Sequence, residues 1–221
     1  MVNNKKKVLF IGNSFTYYND LPKMLEVLAD GQLFCDSVTK GGAYLRSYAD
    51  SEHELGVKVL EKAKEFWDVV ILQDQSFNPV KNQQEFFCSV GKLASLFPES
   101  EIYLYQTWAY EADSEKLEQT GMSQAEMTEA LKLAYEKASE IIGAVCVPVG
   151  NAFAKALELS QDMKLYQPDH YHPLPNGSYI AACMLYQYLT GKNANDLDIV
   201  DGVTDEDGII LRAAVHEVIA G

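Results

Sequence analysis

The sequence has no long hydrophobic run, few basic residues and no clustered cysteines, and each scarcity excludes something. No apolar stretch approaches the ~20 residues that a bilayer-spanning helix needs, so nothing in the chain reads as a membrane span. Lysine and arginine number 18 against 32 aspartates and glutamates, a formal charge of −14. So acidic a chain repels phosphate backbones and anionic headgroups, which argues against nucleic acid and membrane surfaces as partners. The four cysteines, Cys35, Cys88, Cys146 and Cys183, form no C-x-x-C pair, and each lies in an apolar segment. They read as buried free thiols rather than a disulfide framework. The opening "MVNNKKKVLFIG" has too short an apolar stretch behind its lysines for the about 7–15-residue core of a signal peptide. A cytoplasmic location is the expectation, or a secreted one if a signal has been removed. Linkers rich in Pro, Gly and Ser, internal repeats and low-complexity tracts are also absent, so residues 1–221 read as one domain.

What is present is an alternation of strand-like and helix-like segments. "KVLFIG" (7–12), "LFCDSVT" (33–39), "WDVVILQ" (67–73), "EIYLYQT" (101–107) and "AVCVPVG" (144–150) read as strands. The third is apolar on both faces, as a central parallel strand must be. Helices are expected over 20–30, 51–66, 82–96 and from Ser123, with more near 150–160, 175–190 and 205–219. Asp20 can cap the first of these, and Pro22 lies in its first turn, where a missing N–H costs nothing. Ser51-x-x-Glu54 and Ser123-x-x-Glu126 have the form of capping boxes. After Ser123, a stripe of Met127, Leu131, Ala134, Ala138 and Ile141 predicts one buried helix face. Crossovers of this length require parallel strands and right-handed connections. The expected fold is a three-layer α/β/α sandwich, flavodoxin-like, with a five-stranded parallel sheet.

In such a sheet, ligands bind beyond the carboxyl ends of the strands. Gly12, Asn13, Ser14 and Phe15 follow the first strand, Gly41 and Gly42 the second, and Gln73, Asp74, Gln75 and Ser76 the third. Trp108 and Tyr110 follow the fourth, and "YQPDHYHPLPNG" places Asp169, His170, Tyr171 and His172 before a helix. Each feature has an ordinary explanation: a turn serine that caps a helix, a glycine turn, a polar loop, surface carboxylates and imidazoles. Together they supply a nucleophile, a base, an orienting carboxylate and donors for an oxyanion, the components of acyl transfer. The only close histidine pair, His170 and His172, has no further His or Cys nearby, so no metal site is expected.

"FIGNSF", the later glycine, the amide after the third strand and "DHYH" resemble the SGNH (GDSL-type) hydrolases over roughly residues 7–191. That superfamily has Gly-x-Ser after the first strand, a glycine after the second, an Asn after the third and Asp-x-x-His near the C-terminus. The third block departs from the pattern, with "LQDQS" in place of Gly-x-Asn-Asp. It is similar in register to the Gln-Gly-Glu-Ser of some carbohydrate-ester members. The resemblance implies Ser14 as nucleophile, His172 as base and Asp169 as its orienting partner. His170 is the competing base. For the oxyanion it implies the backbone N–H groups of Ser14 and Gly42 with the side-chain amide of Gln73, Gln75 being the alternative. Asn13, Trp108 and Tyr171 are substrate-pocket candidates, and residues 108–122 could form a lid or an ordinary loop. The implied activity is hydrolysis of small acyl esters, of small molecules or glycans, without a cofactor. Alternatives are a lysophospholipase or thioesterase on the same residues, or a non-catalytic flavodoxin-like binding module. For the last, "GNSFTYY" would be a phosphate loop, a role that Asn13 and Phe15 fit poorly. Nothing in the sequence speaks to oligomeric state.

Overall fold

Side-chain alternation along the first strand decides the layering. The computed structural model describes residues 5–221, and in it β1 (Lys6–Gly12) is buried from Val8 to its end. Val8 and Phe10 point to one face of the sheet and Leu9 and Ile11 to the other, each into its own core. A strand apolar on both faces can be stable only with helices on both sides.

The chain continues through α1 (Ser14–Tyr17), α2 (Leu21–Leu28), β2 (Leu33–Thr39), α3 (Leu45–Tyr48), α4 (Glu54–Lys62) and β3 (Val69–Leu72). Then come α5 (Asn78–Lys81), α6 (Gln83–Ser95), β4 (Glu101–Tyr105), α7 (Glu115–Glu118), α8 (Gln124–Ile142) and β5 (Val145–Val147). Helices α9 (Val149–Leu159), α10 (Pro175–Thr190) and α11 (Asp205–Ala220) follow. The sheet is parallel throughout, in the order β2-β1-β3-β4-β5. One core packs α2, α9, α10 and α11 against the Val8 face, and the other packs α3, α4, α6 and α8 against the Leu9 face. The chain leaves β1 for β2 on one side and returns to β3 on the other. The carboxyl end of β1 therefore stands where the strand order reverses, the usual place for a ligand crevice.

The expected alternation holds, with local differences. Ser123 makes the predicted capping box with Glu126, and the stripe on α8 is buried from Met127 to Ala138. Ile141 is instead exposed, while Ile142 beside it packs against the core. The Ser51 box does not form: α4 starts three residues later, capped by His53, whose Nδ1 accepts from the Leu55 N–H at 3.1 Å. Asp20 precedes α2 in a left-handed conformation and makes no side-chain cap bond. The cysteines are free thiols, but only Cys183 is fully buried; Cys35 and Cys146 are half-buried and Cys88 is exposed. Among the described residues, no helix is long and apolar enough to cross a membrane.

Candidate active site

Gly12 ends β1 because of what lies against it. A Cβ there would stand 2.6 Å from Gln73 Oε1 and would overlap the Thr16 hydroxyl as well. Asn13 follows with both ends of its side chain engaged. Its Oδ1 accepts from the Phe15 N–H at 3.1 Å and caps α1, while its Nδ2 donates to the Ala43 carbonyl at 3.0 Å. Ser14 is thus fixed as the first residue of a helical turn, with its N–H pointing out of the helix start. Gly42 comes from the neighbouring turn and has φ of +69°, a left-handed conformation that favours glycine. Neither the Ser14 nor the Gly42 N–H has a partner among the described residues.

Across the crevice, the loop before α10 supplies an imidazole and a carboxylate. His172 Nε2 lies 2.8 Å from Ser14 Oγ, and His172 Nδ1 lies 2.6 Å from Asp169 Oδ2. Asp169 Oδ1 accepts from the backbone N–H groups of Tyr171 at 3.3 Å and His172 at 3.1 Å. Partial burial raises the Asp169 pKa, but the bonds from His172 and Tyr171 outweigh it and hold the carboxyl below its ordinary value. An ionised Asp169 accepts from Nδ1–H, which leaves Nε2 free to accept from the serine hydroxyl. The imidazole is flanked by Tyr18, stacked at 4.4 Å and 14°, and by Tyr171 at 4.1 Å. His170 faces elsewhere: its Nδ1 pairs with Glu111 Oε2 at 2.6 Å.

The loop after β3 separates the two candidate glutamines. Gln73 is buried and its amide is committed to the loop. Oε1 accepts from the Asn13 N–H at 2.9 Å and the Thr16 hydroxyl at 2.8 Å, and Nε2 donates to the Asp74 carbonyl. The Asn13 N–H can only donate, so the amide cannot be turned round to aim nitrogen at the crevice. Gln73 therefore holds the serine turn, and it does not line the cleft around Ser14. Gln75 does line it, with Nε2 donating to Ser76 Oγ at 2.7 Å.

The cleft has a volume of about 240 Å³, and Asn13, Ser14, Gly42, Gln75, Tyr171 and His172 are among its walls. Trp108 is not. It lies fully buried between Phe15, stacked at 4.4 Å, and Phe153, stacked at 4.1 Å, and its indole N–H donates to the Tyr171 carbonyl at 2.9 Å. It braces the site from the core side. Residues 108–110 are buried and α7 follows. From α7, Lys116 reaches the cleft with its ammonium 3.8 Å from the Tyr171 ring centroid, a cationic contribution that no sequence signal marked. A larger cavity of about 760 Å³, between α2 and residues 196–201, is separate from Ser14. No group of three or more metal-ligating side chains occurs among the described residues.

No protein-family model and no curated protein matches the sequence. Solved structures do. A protein from Slackia heliotrinireducens, described as an SGNH hydrolase, is 29% identical with a TM-score of 0.77, over 84% of this chain and 100% of that one. A DUF4886 family protein from Bacteroides uniformis is 21% identical with a TM-score of 0.79, over 98% and 95%. The acetylxylan esterase Axe2 from Geobacillus stearothermophilus shares the fold at 17% identity and a TM-score of 0.59, over 86% and 97%.

Proposed function

The chain belongs to the SGNH (GDSL-type) hydrolases, and from that premise we propose that it is a serine esterase cleaving small, acetyl-type esters. The observation that carries this reading is the hydrogen-bonded series from Ser14 Oγ through His172 to Asp169, at 2.8 Å and 2.6 Å. Ser14 Oγ attacks the ester carbonyl while His172 Nε2 takes its proton. Asp169 keeps the ring in the right tautomer and stabilises the imidazolium. The tetrahedral oxyanion is received by the N–H groups of Ser14 and Gly42, with the Gln75 amide as side-chain donor. His172 then returns the proton to the leaving alcohol, and water repeats the sequence on the acyl-enzyme.

The size of the cleft favours a short acyl group. About 240 Å³ is less than the about 300–1,000 Å³ usual for drug-sized ligands. Tyr17, Tyr18 and Tyr171 stand around it, and flat rings of this kind suit the faces of a sugar. The fold shared with an acetylxylan esterase is consistent with a carbohydrate alcohol. Hydrolysis of 4-nitrophenyl esters of increasing chain length, with Ser14→Ala as the blank, tests the reading. Activity is expected to peak at acetate or propionate; a peak at long chains would mean a lysophospholipase or thioesterase instead.

A further inference from the structure

Asp74 is fully buried in the loop after β3, and the mechanism above gives it no task. Its carboxylate joins its own loop and the start of α5 to the first residue of α3, 29 positions away in sequence. Oδ1 accepts from the Leu45 N–H at 2.8 Å and the Gln75 N–H at 2.7 Å, and Oδ2 accepts from Asn78 Nδ2 at 2.7 Å. Burial pushes this carboxyl up, and all three donors oppose that push. Leu45 closes the turn that carries Gly42, and Asn13 holds the same turn at the Ala43 carbonyl. One carboxylate oxygen thus sits between the backbone that presents Gly42 and the backbone that presents Gln75.

We propose that Asp74 is a positioning residue that holds the Gly42 N–H and the Gln75 amide in register as a single oxyanion site. The inference rests on the esterase reading. It gives the departure at "LQDQS" a physical sense: Gln73 fixes the serine turn, Asp74 joins the glycine turn to the third loop, and Gln75 meets the substrate. Donors to an oxyanion act only in the transition state, so their displacement lowers turnover without weakening substrate binding.

The chemistry of the contacts supplies an exchange test. In Asp74→Asn the retained Oδ1 can still accept from Leu45 and Gln75, but the new Nδ2 meets the Asn78 amide donor to donor. In the double variant Asp74→Asn with Asn78→Asp, the amide at 74 donates to the carboxylate at 78. That carboxylate can still accept from Asn82 Nδ2, which bonds Asn78 Oδ1 at 2.8 Å in the native chain. Full-length wild type and both variants are assayed with 4-nitrophenyl acetate, and each is melted. Asp74→Asn is expected to lose roughly 10- to 100-fold in kcat with KM little changed, and the double variant to recover most of it. A wild-type kcat for Asp74→Asn overturns the proposal, as does a double variant that regains the melting temperature but not kcat. Should Asp74→Asn not fold, Asn78→Ala removes the donor to Oδ2 together with the acceptor of Asn82 Nδ2, leaving the carboxylate held through Oδ1 alone, and a wild-type kcat there overturns the proposal equally. A wild type inactive on every ester would sink the esterase reading as well; an active wild type beside an equally active Asp74→Asn sinks only the role of Asp74.

Discussion

Two pairs of like residues, each two positions apart, flank the cleft: Gln73 and Gln75 after β3, and His170 and His172 before α10. In each pair one member lines the cleft with Ser14 and the other is held elsewhere. His170 turns out to Glu111 on the surface, whereas Gln73 turns in to Asn13 and Thr16. The outward residue ties one loop to its neighbour; the inward one determines how the serine turn itself is built. A residue beside a proposed catalytic group can serve it by sealing backbone, as Gln73 does for the serine turn. The two idle members should therefore fail differently when removed.

The largest effects fall on the histidines. His172→Ala should lower kcat by roughly 10⁴–10⁶, as Ser14→Ala should, because such residues act as a unit. His170→Ala should stay near wild type in steady-state assays with 4-nitrophenyl acetate. A reversed order would move the base to His170 and break the comparison at its clearest point.

The glutamines sharpen it at smaller magnitude. Gln75→Ala removes a donor and should cost about 10²–10³ in kcat at nearly constant KM. Gln73→Ala strands the buried Asn13 N–H and should cost about 1–3 kcal/mol of stability, visible as a lowered melting temperature. Loss of turnover in Gln73→Ala with an unchanged melt, beside a normal Gln75→Ala, would restore the oxyanion role to Gln73.

Much of this was legible because it is local. Asp169 and His172 share one short loop, so their i,i+3 spacing is itself the geometry. Asn13 caps the turn two residues on, and the strand-helix alternation follows from side-chain periodicity. What was less legible depends on distant partners. Gln73 meets residues 57 and 60 positions away, and nothing in "LQDQS" says which amide will find them. Trp108 looks like a pocket residue until Phe15 and Phe153 close on its two faces. Ser51 and Glu54 form a valid capping pattern, yet His53, already extended at ψ 144°, takes the cap instead. Asp74 gave one faint signal, an Asn four residues later at the start of a helix.

A smaller effect concerns pH. Asp169 is held below the ordinary carboxylate value of 3.8 in the folded protein. A depressed folded pKa contributes stability that is fully present above the unfolded value and is lost as pH falls through the folded one. The melting-temperature gap between wild type and Asp169→Asn should therefore persist above pH 3.8 and close below it. A gap that instead widens on acidification would mean that the His172 bond does not stabilise the carboxylate.

The proposed esterase stands on Ser14 as a nucleophile activated by His172. Reaction with a fluorophosphonate, followed by mass mapping of the modified peptide, tests it most directly. One adduct per chain is expected, on Ser14, absent from Ser14→Ala and strongly slowed in His172→Ala but not in His170→Ala. An unlabelled wild-type protein, or an adduct on any other residue, would contradict it.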